Sequence, residues 1–259
     1  MPAKNPASAA RRFAAGLLGV GAAFLAWNLA SGVIASSLIL PPPGEVVSAL
    51  WRLISSAPFW RAVLGTFGRV AGAFALSILA GALTGAASGL SSGIRDFLAP
   101  LLTTIRATPV LALILVAMFW LPSAGVPVFT AFLMAYPVMH TSVYSGIAET
   151  DRELLEMASV FKVPARVRFF KLRLPSAETH FLAGAKNALG MCWKVVVAGE
   201  VLSQPARALG TGLQDSRLSL DTAGVLAWAA ATVLLCGASE FALGLAARSA
   251  ARRRHGAGA

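Results

Sequence analysis

Several ionisable side chains stand inside stretches that are otherwise apolar, among them His140, Lys186, Lys194, Glu200 and Glu240. In hydrocarbon a lysine at mid-depth costs about 2.5–3.5 kcal/mol on insertion scales, so such a group must find a partner or face water. Lys186 and Glu240 fall at similar distances from the inner ends of their segments and form a candidate structural ion pair. Lys194 and Glu200, six positions apart, point to different sides of a helix. Lys194 then either meets a carboxylate on another helix or flanks a solute path, where a cation favours an anion. His140, three residues after Pro137, is either a packing histidine or a pH-sensitive path residue, and Glu200 is either a gate or a helix-end contact. Covalent chemistry finds little support. Gly89-Leu90-Ser91-Ser92-Gly93 has the spacing of a nucleophile elbow, but that turn needs a strand before the serine and an apolar helix precedes it here. No H-E-x-x-H or other metal spacing occurs, and Cys192 and Cys236 read as packing residues without a short-spaced partner. No Gly-Lys pair occurs, so a G-x-x-x-x-G-K-[ST] phosphate loop is impossible. Neither a catalytic nor a metal site is expected.

The elements that position these charges are membrane helices. The 259-residue chain is 57% hydrophobic and 13% charged, with a mean hydropathy of +0.72. An ordinary soluble domain carries about a quarter charged residues. The net charge of +11 comes from basic residues flanking apolar spans rather than from a patch interleaved with aromatics, which excludes nucleic acid as a partner.

A helix needs about 20 apolar residues to cross the hydrocarbon layer. The first span is expected at 13–34, within a charge-free run of 32 residues that favours a retained anchor over a signal peptide. Three prolines at Pro41, Pro42 and Pro43 end it, and an amphipathic interfacial helix follows over 44–57, built on Val46, Val47, Leu50, Leu53 and Ile54 around Trp51. A second span covers 62–90. Its Gly81, Gly85 and Gly89, with Gly68 and Gly72 before them, repeat at four-residue intervals that let another helix approach closely. The 42 uncharged residues between Arg106 and Glu149, turned at 121–127, make two antiparallel helices. Spans at 178–202 and 222–247 complete six, within one membrane domain whose five-helix core is 60–247 and whose tails are 1–12 and 248–259.

Six crossings put both termini on one face. Fifteen lysines and arginines fall on that face, among them Lys4, Arg11, Arg12, Arg95, Arg106, Arg248 and Arg252 to Arg254, against five opposite: Arg52, Arg61, Arg69, Arg207 and Arg217. The termini are therefore expected in the cytoplasm, with the chain in a bacterial inner membrane.

The one long charged island, 150–175, lies on that same face. Thr150 followed by Glu153 reads as a capping box starting a helix near Asp151. Leu154, Met157, Ala158 and Phe161 then recur as one apolar stripe. Val163-Pro164 ends this helix and begins a second that carries Arg166, Arg168, Lys171 and Arg173 up to Pro175.

This island resembles the loop of permease subunits of bacterial binding-protein-dependent ABC importers, E-A-A, three residues, G, nine residues, I-x-L-P. The corresponding residues are Glu156-Met157-Ala158, Lys162, Leu172 and Leu174-Pro175. The resemblance runs from about Leu40 to Ala247, through LPPPGEV, AGALTGAASGL, RATPVLAL and GEV at 199–201, and is closest to the nitrate, sulfonate and taurine branch. It implies an all-α polytopic permease of the type I importer class, with a helix-turn-helix coupling loop made by Glu153, Glu156, Met157, Ala158, Phe161, Lys162, Leu172, Leu174 and Pro175. The implied partners are a cytoplasmic ABC ATPase dimer, a second permease copy and an extracytoplasmic substrate-binding protein. ATP would be bound by the ATPase, with no cofactor on this chain, and the substrate would be a small anion. Lys162 departs from the motif's glycine, and the break is assigned to Pro164. A secondary transporter or a membrane-embedded enzyme are the rival classes.

Overall fold

The computed structural model describes residues 6–34 and 36–256. Lys4 and the ends of both tails lie outside the described residues, as do the side chains of Arg12 and Arg252 to Arg254. Among the described residues the secondary structure is helical throughout: α1 (Pro6–Ile34), α2 (Pro43–Ile54), α3 (Ala57–Leu90), α4 (Ser92–Ala107), α5 (Val110–Ala117), α6 (Gly125–Ala148), α7 (Arg152–Val160), α8 (Ala165–Arg168), a π turn (Phe169–Arg173), α9 (Leu174–Ser203), α10 (Leu209–Leu218) and α11 (Thr222–Gly256). Where the sequence reading drew one domain, the chain clusters into two compact units.

The first unit gathers 1–59 and 212–231. Pro43 opens α2 at a first-turn position that needs no amide hydrogen, with Glu45 in the first turn and Arg52 in the last complementing the helix dipole. Val46 and Ala49 are buried while Val47 and Trp51 face out, which is the amphipathic division expected of an interfacial helix. Trp27 Nε1 donates to the Pro41 carbonyl at 3.1 Å, tying the end of α1 to the proline turn. Phe59 and Trp228 pack with ring centroids 5.5 Å apart.

The second unit, 60–211 with 232–259, is organised on α6. Small residues set its helix spacing. A Cβ built on Gly81 would lie 2.4 Å from Met139 Cβ, one on Gly85 would lie 2.5 Å from the His140 carbonyl oxygen, and one on Gly89 would meet Ile147 at 2.7 Å. The α3 register therefore runs parallel to α6 at backbone contact, as the spacing predicts. Gly68 faces open space and Gly72 meets Val128 only at 3.9 Å, so these two do not belong to that seam. A second face of α6 meets α9 antiparallel, through Gly146 on Ala177, Gly184 on Ser142 and Gly199 on Pro127.

Among the described residues, four helices are long and apolar enough to cross a membrane: Ala57–Leu90, Gly125–Ala148, Ala165–Ser203 and Thr222–Ser249. A fifth span exists if α4 and α5 are taken together across their 95° bend, and α1 adds the shorter apolar stretch Leu18–Ile34.

Three expectations are corrected here. The 91–108 stretch read as a loop is the helix α4, and the straight span expected after Arg106 is broken at Thr108-Pro109, because proline lacks an amide donor and pushes the residue before it to an extended backbone (Thr108 ψ 127°). The second loop helix does not stop at Pro175. Residues Ala165–Ser203 form one continuous span, with the π turn Phe169–Arg173 placed just before the proline.

Candidate functional site: the charged loop and the charges within the membrane

The charged loop begins at Asp151, not Thr150. Asp151 Oδ1 accepts from the amides of Glu153 at 2.8 Å and Leu154 at 3.5 Å, whereas Thr150 Oγ1 donates to the Ile147 carbonyl at 2.9 Å and closes the preceding helix. The capping-box reading is thus corrected by one residue: the nearer carboxylate takes the orphan amides.

Lys162 ends α7 in a left-handed conformation, φ 53°. Its amide donates to the Ser159 carbonyl at 2.9 Å, and the Val163 amide donates to Ala158 at 2.9 Å. That pair of bonds is a Schellman cap, the motif glycine normally supplies. The break expected from Pro164 is therefore made by Lys162 itself, with Pro164 leading into α8. Leu154, Met157, Ala158, Phe161 and Leu172 come together around a surface hollow that Val163 and Val167 also line. Ala158 is buried, while Met157 and Phe161 are 53% and 76% exposed. Glu156 points away from the hollow and pairs with Arg152 at 3.1 Å on the helix surface. Glu153, Leu174 and Pro175 are exposed outside it.

The charges inside the helices are arranged differently from the sequence reading. Glu200, with no solvent exposure, is a clamp rather than a gate. Its carboxylate accepts from Arg69 Nη1 at 2.8 Å, Thr66 Oγ1 at 2.9 Å and the Gly210 amide at 3.1 Å. Arg69 also donates to the carbonyls of Ala206 and Arg207, so one carboxylate and one guanidinium fix the 204–210 segment against α3 and α9. Both carboxylate oxygens are thus engaged by the protein itself, Oε1 by Arg69 and Oε2 by Thr66 and the Gly210 amide, as befits a structural contact. Sequence reasoning missed Arg69 and Thr66 because they lie over 130 residues away, and no local spacing signals such a pair.

The Lys186–Glu240 pair does not form. Lys186 Nζ lies 3.6 Å from where a Cβ on Gly244 would stand, and Glu240 Oε1 lies 2.6 Å from that point on Gly190. Antiparallel packing of α9 on α11 offsets the two charges by about one helical turn. Glu240 instead meets Cys236 Sγ at 3.7 Å. Lys186, Lys194 and Glu240 are all exposed on the single chain, and none enters an ion pair among the described residues. His140 is buried with Nδ1 3.0 Å from Thr84 Oγ1, a packed histidine at the α3–α6 contact. Ser91 follows the helix α3 and stands at the N-terminal boundary of α4, so the Gly-x-Ser-x-Gly stretch joins two helices and is no elbow. No cluster of His, Cys, Asp or Glu among the described residues could hold a metal ion.

Residues 74–252 match the family described as the inner membrane component of binding-protein-dependent transport systems. The chain is similar to the putative aliphatic sulfonates transport permease protein of Escherichia coli, 30% identical over 179 residues that cover 68% of each. It is also similar to the taurine transport system permease protein of the same organism, 27% identical over 234 residues, 88% of this chain and 83% of that one. The bicarbonate transport system permease protein of Synechocystis sp. is 24% identical over 217 residues, 77% of this chain and 75% of that one.

Proposed function

Because the chain belongs to the family of inner-membrane components of binding-protein-dependent transport systems, and so is a non-catalytic permease subunit of an ABC importer, we propose that two copies form the membrane path for a small anion. In this reading α1, the bent α4–α5 pair and the four long spans make six crossings. Both termini and the 150–175 loop then face the bacterial cytoplasm, where basic residues are retained. ATP is bound and hydrolysed by a cytoplasmic ATPase pair, and an extracytoplasmic binding protein delivers the substrate. The anion follows from the relatives, whose names give sulfonates, taurine and bicarbonate, and from Lys194, a cation exposed within a membrane span.

The observation that carries the ATPase contact is the outward stripe of α7. Leu154, Met157 and Val160 on this nine-residue helix and Phe161 just after it are 42%, 53%, 78% and 76% exposed, on an element too short to span lipid and too apolar for water. A cleft on another protein is the surface such a stripe fits. The test is co-purification of the ATPase with the tagged chain. Met157→Asp and Phe161→Asp are expected to cut the retained ATPase tenfold or more while leaving the chain's own yield and thermal stability unchanged. Undiminished retention with both substitutions together would reject this docking face.

A further inference from the structure

Arg106 stands at the last turn of α4, two residues before Thr108-Pro109 and the 95° bend into α5. Its Nη2 donates to the Pro137 carbonyl at 3.2 Å and to Thr141 Oγ1. Pro137 lies twelve residues from the start of α6 and eleven from its end. At 1.5 Å per residue that places the guanidinium contact about 17 Å from either end of a membrane-long helix. The side chain is nonetheless exposed on the single chain.

Two independent features at this depth demand the same surroundings. An exposed guanidinium at mid-depth must face protein or water rather than lipid. Non-helical backbone, here Thr108 and Pro109, is tolerated at membrane depth only when buried in protein or lining an aqueous cavity. The break and the charge are two residues apart. Among the described residues no carboxylate comes within ion-pair distance of Arg106, and His140 on the facing helix is itself turned to Thr84. The cation is thus anchored on α6 and left uncompensated.

Only Nη2 is engaged, so Nη1 and Nε keep their donors free. A planar fork with one corner fixed suits two-point recognition of a carboxylate, sulfonate or bicarbonate group, which a lysine's point charge does not give. Building on the anion reading above, we propose that Arg106 lines the aqueous path at the α4–α5 break and binds the oxyanion group of the solute in transit.

The test uses the full chain assembled with its ATPase and binding protein in proteoliposomes. In a Cys236→Ala background, Arg106→Cys is treated with a membrane-impermeant anionic thiol reagent, with and without nucleotide. The buried native Cys192 serves as internal reference. Labelling at least tenfold faster than Cys192 in one nucleotide state is expected. The second arm follows ATP-driven uptake of taurine, an aliphatic sulfonate and bicarbonate. Arg106→Gln is expected to lower uptake of the transported anion tenfold or more with the assembled complex intact, and Arg106→Lys to recover part of it. Absence of labelling in every nucleotide state, uptake by Arg106→Gln within twofold of wild type, or loss of the assembled complex in place of transport would each overturn the inference. If the wild type imports none of the three anions while Arg106→Cys labels, the anion reading of the whole transporter falls, and the oxyanion role with it. Aqueous exposure of the break would still stand.

Discussion

At the scale of single residues, the loop turns on Lys162. A left-handed conformation costs a side-chain-bearing residue about 1–2 kcal/mol, yet here it is held by two backbone bonds that satisfy the end of α7. The motif's glycine has been replaced without replacing its geometry. Lys162→Gly removes the strain but loosens the unfolded chain, for a net gain of about 0.5–1 kcal/mol in the turn. Amide exchange at Lys162 and Val163 should slow about two- to fivefold, while Lys162→Val should speed it. Equal exchange in all three proteins would refute a strained Lys162. The sequence shows that position 162 is unusual but cannot show φ, so it points to Pro164 as the breaker, whereas the helix ends on Lys162. Glu200 teaches the same lesson. Its intramembrane position is plain from the order of residues, whereas its burial against Arg69, Thr66 and the Gly210 amide depends on chain segments brought together only by the fold.

Among the elements, legibility follows periodicity. The helices α2, α3, α6, α9 and α11 lie where apolar runs and their stops predict them, and the Gly81, Gly85 and Gly89 seam was readable because small residues at four-residue intervals share one face. Charge-free length, by contrast, cannot report a bend. The 95° break at Thr108-Pro109 falls at a proline beside a long apolar run, and the π turn lies just before Pro175 at the end of the charged island; neither shows in the length of an uncharged stretch. The seam makes a sharp prediction. A methyl on Gly85 would stand 2.5 Å from the His140 carbonyl oxygen, which is backbone and cannot swing away. Gly85→Ala is therefore expected to cost about 1–3 kcal/mol. Gly68→Ala, facing nothing within 4 Å, should be neutral or mildly stabilising. Thermal unfolding of the two variants in one detergent measures the contrast, and equal midpoints would contradict backbone contact between α3 and α6.

For the whole molecule, the unpaired charges bear on assembly. Lys186, Lys194 and Glu240 are exposed on the single chain, on two helices that pack together within membrane-length spans. Left against lipid, each would cost about 2.5–3.5 kcal/mol on insertion scales. The mutual pairing that would have relieved Lys186 and Glu240 is out of register by about one turn, so the single chain does not provide the remedy. In the homodimer proposed above, a second copy would provide it, by covering these faces or enclosing them around water. Co-expression of two differently tagged copies is thus expected to recover both tags on either resin in a bilayer-like environment, at equal stoichiometry. Cysteines placed at Lys186 and Asn187 on the same exposed strip of α9, with Cys236→Ala, should either cross-link between copies or react with an aqueous thiol reagent, according to whether the strip is interface or path. Recovery of one tag only, together with cysteines that neither cross-link nor react, would mean that these charges face lipid in a monomer and would defeat the homodimeric path.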